Sequence, residues 1–309
     1  MMNAANHRVK IKTYTRLMNW YRWSNLYIPL LNPSARLVLK LKYYRDKAVV
    51  RQQCKLSESE LNNWFRSKIV FFGFAYPRSG TVFLANLLIN EVRDALIEHE
   101  ANIVDYWHYT LVIQSEDKAL DYIKNFRKQE IFLRVAQGVK IYGEINPTLR
   151  IHCKAIKQLI PGARLFHIVR DGRDVVRSIM SRENLGEKDP LLKLTRPPRE
   201  DAYREAWDHM SRFEKVCWQW QFDNRFIRKN VGHHVLFEKM KSDYDYFTER
   251  INNYLDIDIP EKAWYAYVNK PQNVSRHYAL PHWNKWDHKM RDDFDRICGE
   301  EMRELGYPI

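Results

Sequence analysis

A short loop with the composition of an anion-binding site follows an apolar segment near residue 70. Its residues are Pro77, Arg78, Ser79, Gly80 and Thr81. The apolar run at residues 68–74 has the length of a strand, and leucines at helical spacing follow the loop. Free backbone N–H groups converge at such a helix N-terminus, and the helix dipole favours negative charge. The loop therefore predicts a phosphate cradle, with an ordinary turn carrying helix-capping hydroxyls as the alternative.

A second loop offers another pair of anion ligands. Arg170 ends the apolar run at residues 164–169, and Ser178 lies eight residues later in a predicted helix. An arginine at a strand end and a serine in the next helix can hold one phosphate from two sides. Asp171 is predicted to cap that helix and Asp174 to lie in its first turn.

Alternating strands and helices must position both loops. The predicted strands are residues 68–74, 137–142, 164–169 and 234–237. The predicted helices begin at residue 81 and span 149–160, 173–182, 202–229 and 244–255. Such alternation is typical of an α/β fold, with a central parallel sheet flanked by helices. Because ligands bind beyond the carboxyl ends of strands in these sheets, both loops fall at the expected edge.

Together the two loops resemble the motifs of the sulfotransferases that use 3′-phosphoadenosine 5′-phosphosulfate (PAPS). In that family a PKSGT or PRSGT loop holds the 5′-phosphosulfate, and an R-x7-S element holds the 3′-phosphate. The two motifs lie about 90 residues apart here, as in the family. The resemblance covers roughly residues 66–309. It implies the P-loop-like sulfotransferase fold, PAPS as cosubstrate, adenosine 3′,5′-bisphosphate as product and no metal.

The resemblance also implies which residues bind the cofactor. They are Arg78, Ser79, Gly80, Thr81, Val82, Phe83, Arg170, Ser178, Phe237 and Arg276. Val82 and Phe83 stand where many members have Thr-Trp, so one hydroxyl is lost, and Phe83 is equally suited to the core. Arg276 lies in a segment that departs from the family's usual Arg-Lys-Gly form, and a surface arginine is the alternative there.

Two residues are predicted to carry the chemistry that the resemblance implies. Arg78 would neutralise charge that grows on the bridging oxygen. Glu144, in the turn after the predicted strand at 137–142, matches the glutamate that glycan-modifying members use as base. The alternatives are a glutamate that only organises the site by pairing with an arginine, or His99 or His108 as the base.

The acceptor is predicted only as a class, the hydroxyl or amine of a small molecule, lipid or carbohydrate. Residues 98–110 and 183–199 are expected to border its pocket, with His99, Tyr106 and His108 as substrate contacts. Ordinary packing is the alternative for each. A rival function is a P-loop kinase with Asp171 holding magnesium, although Thr81 instead of lysine follows Gly80, so the Walker A pattern fails. A non-enzymatic protein that binds membranes or polyanions is another.

Charge is concentrated near the N-terminus. The formal net charge of the 309 residues is +13, and the first 70 residues hold 14 Lys and Arg against three Asp and Glu. The remainder is nearly balanced, which argues against a nucleic-acid-binding body. We therefore expect a basic, aromatic-rich helical extension at residues 1–66 and a sulfotransferase domain at 67–309.

The extension has two interpretations. Aromatic and basic residues interleave in it, as on a helix that lies on an anionic membrane. They are Arg16, Trp20, Tyr21, Arg22, Trp23 and Tyr27. Packing on the main domain or on a second subunit, as in a homodimer, is the interpretation that their density favours. No apolar run is long enough to span a bilayer, and four scattered cysteines suit reduced thiols, so a cytoplasmic protein is expected.

Overall fold

The computed structural model describes residues 33–182, 184–186, 189, 194–270 and 277–308. Within them, a five-stranded, wholly parallel sheet has the order β2-β3-β1-β4-β5. The strands are β1 Ile69–Phe74, β2 Ala95–His99, β3 Ile141–Ile145, β4 Arg164–Val169 and β5 His233–Leu236. The predicted α/β class with a central parallel sheet is confirmed.

Helices cover both faces of this sheet. Before the sheet lie α1 Pro33–Gln53 and α2 Glu58–Arg66. Between β1 and β3 lie α3 Thr81–Glu91, α4 Ile103–Val112, α5 Asp117–Tyr122, the π-helical turn Ile123–Arg127 and α6 Lys128–Arg134. Then follow the 3-10 segment Pro147–His152, α7 Cys153–Leu159, α8 Gly172–Met180, the 3-10 turn Ala206–Asp208 and α9 Arg212–Asn230. The last are α10 Phe237–Ser242, α11 Tyr244–Phe247, the π-helical segment Thr248–Asn253, α12 Glu261–Val268, the 3-10 turn Trp283–Lys285 and α13 His288–Glu304.

The central strands are the best predicted elements. β1 and β4 are buried on both faces, and their continuous apolar runs are typical of a parallel sheet. Two strand predictions were less accurate. β3 begins four residues later than the predicted 137–142, and the edge strand β2 was not predicted at all. β2 mixes Ala95, Glu98 and His99 with two aliphatic residues and is only partly buried, so its sequence carries no clear strand period.

The long helix predicted over residues 202–229 begins only at Arg212. Ser211 caps it: the Ser211 hydroxyl accepts a hydrogen bond from the backbone N–H of Glu214, and the Glu214 carboxylate accepts one from the Ser211 N–H. This capping box fixes the start of the helix. The preceding segment forms turns instead.

The described part of the N-terminal extension packs on the same core as the sheet. Leu39, Tyr43 and Val50 of α1 and Leu61 and Phe65 of α2 are buried in one cluster with side chains of β1 and β3. Trp20 and its aromatic neighbours lie outside the described residues. In the part of the chain that is described, no helix is both long enough and apolar enough to cross a membrane. All four cysteines are free thiols.

Candidate active site

The loop between β1 and α3 adopts a backbone that few residues tolerate. Arg78 and Gly80 both have positive φ, 75° and 92°. A Cβ atom on residue 80 would also lie 2.1 Å from the ring of Phe237, so only glycine fits this position. A non-glycine residue held at positive φ costs free energy, and such residues cluster at ligand sites. The loop thus has the geometry predicted for a close approach to a phosphate.

The two predicted anion loops meet at the carboxyl ends of β1 and β4. The Nε of Arg78 donates a hydrogen bond of 2.9 Å to the hydroxyl of Ser178, and Arg170 donates one of 3.1 Å to the Arg78 carbonyl. Burial, with Arg182 and Arg170 nearby, lowers the pKa of Arg78 to about 10. Positive charge is therefore concentrated here against mutual repulsion, which an anion would relieve.

Two buried donors at this edge have no hydrogen-bond partner among the described residues. They are the hydroxyl of Ser79, which is 1% exposed, and the Nε of Arg170. A buried polar group without a partner costs about 1–3 kcal/mol. We call Arg78, Ser79, Arg170 and Ser178 the phosphate edge, since its charges and unsatisfied donors fit an anionic ligand.

An aromatic wall borders the phosphate edge. The Phe237 ring lies over Gly80 and meets Phe83 edge-on at 6.5 Å between centroids. The guanidinium of Arg170 lies 5.2 Å and the ammonium of Lys241 5.8 Å from the Phe237 ring. Phe83 is also buried in the core beneath. Phe237, which is expected near the adenine, thus lies beside the phosphate edge, and Lys241 is a cation that was not predicted there.

The remaining cofactor candidates lie at the start of α3 or outside the described residues. Thr81 is buried at the first turn of α3, and Val82 beside it is half-buried. Arg276 lies outside the described residues. Asp171 caps α8, as predicted, and both of its carboxylate oxygens accept from the Arg173 guanidinium.

The predicted substrate histidines occupy different environments. His99, at the end of β2, lies 3.1 Å through Nε2 from the Thr81 hydroxyl, next to the phosphate loop. His108 is buried instead, stacked on Tyr122 at 3.9 Å between ring centroids and 3.0 Å from His152 Nε2. Burial lowers the pKa of His108 to about 3. The structure thus brings His99 to the loop and places His108 in an aromatic cluster.

Glu144 lies at the end of β3 and is fully enclosed. Its Oε1 accepts from Arg127 and from the Tyr142 hydroxyl, and its Oε2 accepts a 2.9 Å hydrogen bond from Asn146. Asn146 also donates at 3.0 Å to Asp105, which burial gives a raised pKa of about 7. Glu144 is thus part of a network instead of an isolated carboxylate.

We call this network the ion cluster. It holds four carboxylates and two guanidinium groups, from Glu98, Asp105, Glu130, Glu144, Arg127 and Arg134. Arg127 is 1% exposed and pairs with three of the four carboxylates. The polar run around Arg127 in the sequence gave no signal that it would be buried.

A model of the sulfotransferase family matches residues 89–261. The chain belongs to the sulfotransferase family. The matched region includes Glu144, Arg170 and Ser178 but begins after the loop at residues 77–81. No curated protein sequence matches this sulfotransferase significantly.

Two solved sulfotransferase structures are similar to the chain. The sulfotransferase STF9 from Mycobacterium avium is 12% identical, and the match covers 81% of this chain and 82% of that chain with a TM-score of 0.48. Mouse sulfotransferase SULT7A1, complexed with PAP, is 18% identical, with 80% and 91% covered and a TM-score of 0.44.

A small cavity of about 30 Å³ lies beside the phosphate loop of this sulfotransferase. It is lined by Pro77, Tyr106, Tyr109 and Arg150, and by Asn184, Leu185, Asp189 and Thr195. All of these except Pro77 and Arg150 belong to the two segments expected to border the acceptor. Arg150 lies 3.6 Å from the Tyr109 ring and forms an ion pair of 2.6 Å with Asp223. In the described part of the chain, no group of His, Cys, Asp or Glu could hold a metal ion.

Proposed function

We propose that this sulfotransferase transfers the sulfuryl group of PAPS to an acceptor hydroxyl or amine and releases adenosine 3′,5′-bisphosphate. The phosphate edge is the observation that carries this proposal. The guanidinium groups of Arg78 and Arg170 meet the hydroxyls of Ser79 and Ser178 at the carboxyl ends of β1 and β4. The Ser79 hydroxyl and the Arg170 Nε have no hydrogen-bond partner among the described residues. When bound, PAPS supplies the activated sulfuryl group.

The phosphate edge, together with the start of α3, offers a separate group of residues for each phosphate. The hydroxyls of Ser79 and Thr81, with the N–H groups at the start of α3, suit the 5′-phosphate. Arg170 and Ser178 suit the 3′-phosphate, with Arg276 from outside the described residues. Arg78 contacts Ser178 and lies between the two parts, where its charge can stabilise the leaving group. Phe237 supplies an apolar surface for the adenine.

The base that accepts the acceptor's proton is proposed to be Glu144. A carboxylate has about four lone-pair positions, and the short contacts of Glu144 occupy three of them. The remaining position on Oε2 is the one that could accept a proton. His99 is the second candidate because it lies against Thr81 of the phosphate loop.

The acceptor is proposed to bind beside Pro77, with only its reacting hydroxyl or amine in the small cavity there. Tyr106, Tyr109 and Thr110 of α4 line it, so aromatic and hydroxyl groups are both present. These groups suit a small-molecule, lipid or carbohydrate acceptor.

The compartment is proposed to be the cytoplasm, because four free thiols suit a reducing environment.

A thermal-shift assay in EDTA distinguishes this proposal from a kinase. Adenosine 3′,5′-bisphosphate should raise the melting temperature without magnesium, because arginines and N–H groups supply the positive charge. Stabilisation by ATP with magnesium, and none by the bisphosphate, would instead support the kinase. Incubation of the enzyme and PAPS with representatives of each acceptor class, read by mass for one added sulfonate, then identifies the acceptor.

A further inference from the structure

Helix α1 carries a second apolar stripe on its outer side. Its inner stripe, Leu39, Tyr43 and Val50, is buried against the domain. The outer stripe consists of Leu37, Leu41, Tyr44 and Ala48, spaced by four, three and four residues, so its members share one face. Leu37, Leu41 and Tyr44 are 55%, 59% and 55% exposed. No described residue covers these side chains.

Basic residues flank the outer stripe on both sides. At 100° per residue, Lys40 and Arg51 fall on one side of it and Arg45 on the other, and all three are exposed. A shallow groove lined by Tyr44, Ala48 and Arg51 lies at its C-terminal end. The stripe is therefore an apolar band with a cationic rim.

The surrounding sequence adds to this charge. The first 56 residues hold 12 Lys and Arg and one acidic residue, Asp46. Asp46 pairs with Lys42 and Arg45. Residues 1–32, which lie outside the described residues, hold five of these Lys and Arg and no acidic residue in the sequence directly before α1.

We infer that the outer stripe of α1 docks the protein on an anionic membrane surface. Leucine and tyrosine side chains enter the boundary between headgroups and acyl chains, while flanking Lys and Arg side chains reach anionic headgroups. A polyanion such as nucleic acid would need cations at the centre of the face, where leucines stand. A twofold contact between two α1 helices would bring the same basic rims together, which is unfavourable.

Vesicle flotation of the full chain tests this inference. The protein should float with phosphatidylcholine vesicles that contain phosphatidylglycerol and remain below with pure phosphatidylcholine. The double variant Leu37→Ser/Leu41→Ser should lower binding by at least roughly tenfold through lost apolar burial. Lys40→Gln/Arg51→Gln should lower it by roughly tenfold or more. These side chains are exposed, so the melting temperature should not change.

Tyr265→Ser provides a matched control, because Tyr265 of α12 is 62% exposed but lies on another helix. It should leave binding unchanged, whereas Tyr44→Ser should weaken it. Equal flotation of the wild type and the α1 variants would overturn the inference. A wild-type dimer that Leu41→Asp converts to monomer, with no vesicle binding, would assign the stripe to a second copy instead.

Discussion

The phosphate edge and the ion cluster both contain arginines near the sheet, but the positive charge is compensated differently in the two regions. In the ion cluster Arg127 meets three carboxylates, and carboxylates outnumber guanidinium groups. At the phosphate edge the pKa of Arg78 is lowered by burial and by neighbouring arginines, and the Ser79 hydroxyl has no partner among the described residues.

The charged groups of the ion cluster therefore stabilise the fold, whereas those of the phosphate edge are placed to bind an anionic ligand. A buried arginine surrounded by carboxylates is satisfied by the protein itself, and its removal leaves buried charges uncompensated. Arginines gathered against their mutual repulsion gain further compensation when an anion binds. Substitutions in the two regions should therefore affect different measurements.

The largest expected effect concerns Glu144, which belongs to the ion cluster but is the proposed base. Glu144→Gln should lower turnover by about 10²–10⁴-fold, the scale of general-base loss. The affinity for adenosine 3′,5′-bisphosphate should stay unchanged. The fold should persist because Arg127 keeps Asp105 and Glu130 as partners. Normal turnover in Glu144→Gln, with His99→Gln inactive, would move the role of base to His99.

Arg127→Met should destabilise the protein by about 3–5 kcal/mol, because Asp105, Glu130 and Glu144 lose their shared counter-charge. Arg170→Met is the matched control. It should change the free energy of unfolding by less than about 1 kcal/mol, since its only ion pair among the described residues is the partly exposed one with Asp174. Denaturant unfolding measures both variants. Similar losses in the two would show that the regions do not differ as described.

Substitutions at the phosphate edge should instead change the affinity for the ligand. Arg170→Ala or Ser178→Ala should weaken adenosine 3′,5′-bisphosphate by about 10–100-fold, since a charged hydrogen bond contributes roughly 1.5–3 kcal/mol. Binding of adenosine 5′-phosphate, which lacks the 3′-phosphate, should change far less. Titration calorimetry compares the two ligands. An equal loss for both would refute the assignment of these residues to the 3′-phosphate.

The smallest expected effect concerns pH and His108. The pKa of His108 is lowered to about 3 by burial, so its stabilising contribution is present above pH 6.5 and is lost as pH falls. His108→Phe keeps a ring against Tyr122 but does not titrate. From pH 7 to 5, the wild type should lose up to about 2 kcal/mol relative to this variant. A stability difference that is independent of pH would show that His108 is not held neutral in the fold.

Local sequence signals were enough to predict the phosphate edge. The buried strands β1 and β4 are continuous apolar runs, and the helix cap Asp171 is a short polar residue before a helix. The proposed phosphate-binding residues lie in the loop or in the helix that directly follows each strand. A parallel sheet then brings the two strand ends together. The residues could therefore be identified from the sequence, and the topology of parallel sheets predicted that they lie side by side.

The ion cluster could not be predicted in this way. Its members come from β2, β3, α4, the π-helical turn and α6, and only tertiary packing brings them together. Glu144 was expected in the turn after its strand but lies inside β3, and its partners Arg127 and Asn146 were not predicted. β2, which supplies Glu98 and His99, was missed because a short, half-buried edge strand has little hydrophobic pattern.

The central claim is that the phosphate edge binds a nucleotide with two separate phosphates. Calorimetric titration of the wild type in EDTA, with adenosine 3′,5′-bisphosphate and adenosine 5′-phosphate, tests it most directly. We predict metal-independent binding of the bisphosphate that is about 10–100-fold tighter than that of the monophosphate, from the charged contacts of Arg170 and Ser178. Equal affinity for the two nucleotides, or binding only with magnesium, would contradict it.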